Sequence, residues 1–186
     1  NACEGLKYSN LLTIDTPIYY KTDTSIKLAT DSGWIESDPK EIQDWLTNRY
    51  SKPGDRALMK RIVRYIKSWV NVKWDSTSYK KIPSLAINVL VANHLYLSSC
   101  DEDAFINTII SIYNELGAVF RVEHPITGSN LLTMNSESEV YAYQQLDDLK
   151  STCEKCISGS ESSKLIHYSN IFEHYFPQCE INDGRG

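Results

Sequence analysis

Residues 56–70, RALMKRIVRYIKSWV, followed across a polar loop by residues 82–95, IPSLAINVLVANHL, decide how this chain folds. In the first stretch Leu58, Met59, Ile62, Val63, Ile66, Trp69 and Val70 recur at spacings of three and four, the period of a helix with one buried stripe. Lys60, Arg64 and Lys67 lie three to four residues apart on another face and form a basic ridge. In the second stretch Pro83 and Ser84 open an apolar helix containing Leu85, Val89, Leu90 and Ala92. Two such elements in succession predict a mainly helical domain.

Charge is segregated along the chain. Residues 49–81 hold ten of the nineteen Lys and Arg but only Asp55 and Asp75 as acids, a local charge of +8 in a chain whose total is −5. A basic helix beside a helix N-terminus suits a polyphosphate, because the ammonium and guanidinium groups supply charge while a hydroxyl and free backbone amides supply directed donors. On that pattern Lys67, Arg64 and Ser84 are candidate phosphate-binding residues. The same pattern also fits a solvated basic face beside an ordinary helix start. The acidic total argues against strong general nucleic-acid binding, which needs a broadly positive surface.

At 186 residues with 41% hydrophobic and 23% charged composition, the chain has enough material for one soluble domain with a proper core. No apolar stretch approaches the roughly 20 residues that span a bilayer, and the opening NACEGLKYSN lacks the basic-then-apolar layout of a secretory signal, so a cytoplasmic location is expected. Because the first residue is not Met and a strand-like segment begins almost at once, the chain reads as the back part of a longer protein. Five cysteines form an odd set that favours reduced thiols. The single C-x-x-C of Cys153 and Cys156 sits in a segment of helical period with no second pair at zinc-ribbon spacing, so no metal centre is predicted there. His94, His124, His167 and His174 have no partners at ligand spacing.

Residues 11–20, LLTIDTPIYY, are rich in β-branched and aromatic types and suit a strand that Pro17 ends or places at an edge. Asp15 within it is a candidate metal-binding carboxylate, although a lone Asp near a strand end is more often a turn or cap residue. Everything beyond residue 38 reads as helical. Asp38, Pro39 and Glu41 start a helix that ends near Arg49; the next runs from about Asp55 to Val72. Asp101 begins a helix with Phe105, Ile109, Ile112 and Leu116 facing inward and Gly117 near its end. An irregular loop at residues 121–133 precedes helices at about 135–157 and 162–175. Tyr141, Phe172, Tyr175 and Phe176 read as core. No Walker-type glycine loop, G-x-S-x-G or H-E-x-x-H occurs.

Taken in order, IDTPIYY, GWIESDPKEIQDWL, RIVRYIKSW, KIPSLAINVL, HPITGSNLL and IFEHYFP resemble the C-terminal half of a cGAS/DncV-like nucleotidyltransferase, the bacterial relatives of the oligoadenylate synthetases. The resemblance spans nearly the whole chain. It implies a mainly α (α+β) fold: residues 1–37 as the remnant of a catalytic sheet with its linker, 38–177 as a helical substrate-binding domain, and 178–186 as a flexible tail. It implies ATP and GTP as substrates, Mg2+ as cofactor, and a cyclic oligonucleotide signal of antiphage defence as product. Asp15 then corresponds to the last of three metal-binding carboxylates, and Lys67 and Ser84 to ligands of the donor triphosphate. The family's Gly-Ser turn and paired D-x-D carboxylates precede that Asp by many tens of residues, and only fourteen residues precede Asp15 here, so this chain alone is expected to be inactive. Leu85 stands where some relatives carry a base-stacking aromatic, which leaves base preference open. The ending at Gly186 is similar to relatives conjugated through their C-terminus by a companion protein, and an effector of the same defence operon is a second possible partner.

Two other readings stay open. A non-catalytic helical module would use the basic ridge to dock nucleotide, RNA or protein, and a polyadenylating or tRNA-modifying branch of the same superfamily would need a broader positive surface.

Overall fold

The computed structural model describes residues 3–8 and 12–176. The chain divides into two compact units, Asn1–Trp45 and Leu46–Gly186, a boundary inside the first helix. In the first unit β1 (Cys3–Tyr8) pairs antiparallel with β2 (Leu12–Pro17), so that Gly5 stands opposite Asp15. Pro17 ends β2, as its missing N–H demands. A second antiparallel sheet runs β3 (Tyr19–Lys21), β4 (Ile26–Thr30), β5 (Gly33–Glu36) in that spatial order. Its last hairpin closes at Gly33, whose φ of +112° only glycine adopts freely. Helix α1 (Pro39–Asn48) starts on Asp38, whose carboxylate accepts from Lys40 N–H at 2.8 Å.

The second unit is helical: α2 (Pro53–Lys73), α3 (Ser84–His94), α4 (Asp101–Ala118), α5 (Ser136–Ser158) and α6 (Glu161–Phe172), ending in a 3-10 turn at Glu173–Tyr175. The whole is mainly α with a small β contribution. Helix α3 buries Ala86, Ile87, Val89, Leu90, Val91 and Ala92, apolar all round because it packs on both α2 and α4. Helix α2 turns Leu58, Met59, Ile62, Val63, Ile66, Trp69 and Val70 inward, the stripe read from its period. Phe105, Ile109, Ile112 and Leu116 of α4 are buried with them.

Polar groups inside this core are satisfied. Trp69 and Trp74 meet edge to face, Trp74 donates its indole N–H to the Lys80 carbonyl at 3.1 Å, and Tyr141 donates its hydroxyl to the Lys73 carbonyl at 2.6 Å. The buried Ser138 hydroxyl accepts from Lys80 N–H, and that of Thr108 from Tyr96 N–H. Cys153 and Cys156 are both buried on α5 as packing residues, and burial pushes the Cys153 thiol far above its ordinary pKa.

The aromatic group read as core needs correction. Tyr175 is 50% exposed, and Phe172 and Phe176 are half-buried around a cavity of about 290 Å³ rather than packed solid. Glu173, at a φ of +46°, ends α6 three residues before the helical period suggests, and the turn that follows leaves Tyr175 outside. The tail at 178–186, with Gly186, lies outside the described residues.

Candidate functional site

Helices α2 and α3 lie antiparallel. At one end Arg49 and Tyr50, just before α2, both donate to the Ala92 carbonyl near the C-terminus of α3, each at 3.0 Å. Midway, Lys60 and Arg64 share a pocket with Asn88. Towards the far end Ile66 and Trp69 line one small internal cavity with Ile82 and Ile87. Moving from Arg64 to Lys67 advances about 4.5 Å along α2, and moving from Asn88 back to Ser84 advances about 6 Å along α3. In antiparallel helices these steps run the same way in space.

The pocket shared by the two helices has a volume of about 440 Å³ and is lined by Met59, Lys60, Arg61, Val63, Arg64 and Asn88, with no carboxylate in its wall. The side chains of Lys60, Arg64 and Lys67 make no hydrogen bond or ion pair among the described residues; Lys60 and Arg64 are exposed and Lys67 is half-buried. The Asn88 amide is likewise without a hydrogen bond among the described residues. Ser84 is exposed as the first residue of α3, and its N-cap, Pro83, supplies no side-chain acceptor to the free N–H groups of the first turn.

Arg61 is different. Its Nε and Nη2 donate to the two carboxylate oxygens of Asp101 at 2.7 and 2.8 Å, and the Tyr65 hydroxyl donates to the same carboxylate at 2.9 Å. The Arg61 hydrogen bonds hold the Asp101 carboxyl below its ordinary pKa. Asp101 and Asp103, in the first turn of α4, spell D-x-D, yet Asp101 is fully engaged by Arg61 and Tyr65 and is not presented to a metal. Among the described residues no group of three or more His, Cys, Asp or Glu is placed to hold a metal ion. The metal-ligand reading of Asp15 concerns its side chain, which lies outside the described part of the structure.

Sequence reading found the ridge and the opening of α3 but missed Asn88 and the capture of Arg61. Asn88 had a signal, an amide one turn beyond Ser84 in an otherwise apolar helix. The Arg61 pair had none, because its partner is forty residues away.

No protein-family model matches the chain. A cyclic GMP-AMP synthase from Escherichia albertii is 56% identical over all 186 residues, which cover 42% of that protein. Over its whole length the chain is similar to a cGAS/DncV-like synthase. The cyclic GMP-AMP synthase of Vibrio cholerae serotype O1 is 26% identical over 93 residues, 48% of this chain and 21% of that protein. The chain thus spans less than half the length of these curated relatives, as a C-terminal half would. A solved structure of Vibrio cholerae DncV, described as a prokaryotic cGAS homolog, matches with a TM-score of 0.77 at 21% identity, covering 92% of this chain and 50% of that one. A DncV mutant in complex with ATP, GTP and 5MTHFGLU2 matches with a TM-score of 0.75 at 19% identity, covering 94% of this chain and 52% of that one. At these identities the likeness is one of fold. No helix among the described residues is long and apolar enough to cross a membrane.

Proposed function

We propose that this chain is the C-terminal part of a nucleotidyltransferase that joins ATP and GTP into a cyclic oligonucleotide signal of antiphage defence, and that its α2–α3 groove holds the donor triphosphate. The carrying observation is the carboxylate-free pocket that joins Arg64 of the ridge to Asn88 of α3, one turn from Lys67 and Ser84. Lys67 and Arg64 neutralise the phosphates, while the Ser84 hydroxyl and the uncapped N–H groups behind it donate to their oxygens. These groups keep their hold as charge moves onto the departing pyrophosphate, so they stabilise the leaving side of the displacement.

Magnesium, the ion that would neutralise charge on the reacting phosphates, is not accommodated by the described residues alone. Asp15 supplies one ligand of a set that needs further carboxylates, and the isolated chain is inactive for that reason. A cytoplasmic location, an effector of the same operon and a companion protein that conjugates Gly186 go with this reading. A covalent adduct on Gly186, sought by mass spectrometry of protein from cells, tests the last of these.

The decisive experiment replaces the corresponding 186 residues of the Escherichia albertii synthase with this chain and supplies ATP, GTP and magnesium. The chimera is expected to make a cyclic product and the chain alone none. In the chimera, Asp15→Asn is expected to abolish product, and Lys67→Ala or Ser84→Ala to weaken ATP binding by about 1.5–3 kcal/mol each. A folded chimera without product refutes the proposal, as does unchanged ATP affinity in both binding-site variants.

A further inference from the structure

We infer that the pocket walled by Lys60, Arg64 and Asn88 is a phosphate subsite in its own right, one helical turn along the α2–α3 groove from Lys67 and Ser84, and that it takes a diphosphate group. The inference rests on the reading of that groove as the phosphate site, and extends it to two residues, Lys60 and Asn88, in the opposite direction from the helix entrance.

Its basis is chemical. Lys60 and Arg64 are four residues apart on one face of α2, exposed, and without any ion pair among the described residues. Two unneutralised cations side by side repel each other, a cost that an anion between them removes. Asn88 faces the same space from α3 with an amide that makes no hydrogen bond among the described residues, so a donor is available from the opposite wall. Met59 and Val63, both buried, form an apolar floor that excludes water beneath the charges. The third cation of the wall, Arg61, is already held by Asp101 and therefore positions rather than binds.

The volume, about 440 Å³, is that of a small-ligand pocket and leaves room for a diphosphate with its hydration. The step of about 4.5–6 Å to Lys67 and Ser84 lets one extended polyphosphate touch both levels. The diphosphate has two possible sources, the donor's own β- and γ-phosphates and free pyrophosphate after transfer.

The test is calorimetric titration of the full chain, in low salt, with inorganic pyrophosphate and separately with ATP, using adenosine as the uncharged control. Pyrophosphate is expected to bind the wild type and adenosine not to. Lys60→Gln should weaken pyrophosphate about tenfold and Asn88→Ala about threefold to fivefold, with helical circular dichroism unchanged. If the pocket receives the donor's own tail, saturating ATP displaces pyrophosphate and Lys60→Gln weakens both alike. If it receives the freed product, pyrophosphate still binds in saturating ATP and only its affinity responds to Lys60→Gln.

Wild-type pyrophosphate affinity in both variants overturns the inference, as does a wild type that binds none. Loss confined to Lys67→Ala and Ser84→Ala would overturn this subsite yet leave the groove reading standing. Loss confined to Lys60→Gln and Asn88→Ala would do the reverse.

Discussion

Replacing Asp101 with Asn should loosen the fold and tighten the grip on phosphate at once. Asp101 receives three hydrogen bonds, two from Arg61 and one from Tyr65, and ties the first turn of α4 to the middle of α2. The Arg61 and Asp101 side chains are 39% and 34% exposed, between the surface regime, where an ion pair is worth about 0.2–1 kcal/mol, and the shielded one, where a charge-assisted bond is worth about 1.5–3 kcal/mol. A loss of about 1–2 kcal/mol is the appropriate middle. With a urea dependence near 2 kcal/mol per molar, the midpoint of helical unfolding should fall by about 0.5–1 M.

The pH dependence fixes the cause. Asp101 has a lowered pKa in the folded chain, so its contribution is present above the unfolded carboxylate pKa, about 3.9, and is lost as pH falls through the folded value. The difference between wild type and Asp101→Asn should therefore be full at pH 7 and shrink below about pH 4. The same change removes one negative charge beside the pocket and releases Arg61 into its wall. A unit charge a few ångströms away through solvent is worth about 0.5–1 kcal/mol, so pyrophosphate affinity should rise about twofold to fivefold. A stability difference that persists undiminished at pH 3, or affinity that falls in the variant, would refute the assignment of Arg61 as a cation withheld from the groove.

Two further outcomes follow from the helical core. Ile109 is 1% exposed among α2, α3 and α5, and Ile109→Ala should cost about 2–5 kcal/mol in urea unfolding, with a cost below about 1 kcal/mol counting against this packing. Peptide mapping after brief thiol labelling at pH 8 should find Cys100 modified and Cys153 protected until the chain unfolds, because Cys100 is exposed while burial raises the Cys153 pKa; equal labelling of the two would contradict the arrangement of α5.

The helices were legible because each carries its own period. The inward stripe of α2, the opening of α3 at Pro83 and Ser84 and the start of α4 at Asp101 stand where the residues placed them. Boundaries slipped where one residue serves two purposes. Lys52, Pro53 and Gly54 read as a break, yet proline at the first helical position is favourable and α2 begins there. Strands β4 and β5 escaped notice because five and four residues are too short to show alternation, and Trp34 and Ile35, both exposed, point to opposite faces. The turn Thr30-Asp31-Ser32-Gly33 between them was the signal available.

The candidate site was only half legible, because sequence counts charges without saying which of them are already occupied. Of the ten basic residues in 49–81, five are bound within the fold: Arg49 to the Ala92 carbonyl, Arg56 to those of Tyr50 and Ser51, Arg61 to Asp101, Lys73 to the Asn170 carbonyl and Lys80 to that of Thr133. Carbonyl partners leave the formal charge in place but occupy a donor, so engaging a ligand with these groups costs an existing hydrogen bond. Of the remaining five, Lys60, Arg64 and Lys67 share one face of one helix, and a second helix brings the Asn88 amide against Lys60 and Arg64. Of the five cations left, three thus lie along one helix face, and the other two, Lys52 and Lys81, are exposed outside that helix. Three cations at successive turns suit a short polyphosphate, whereas a nucleic-acid track needs contacts repeated over a much longer path.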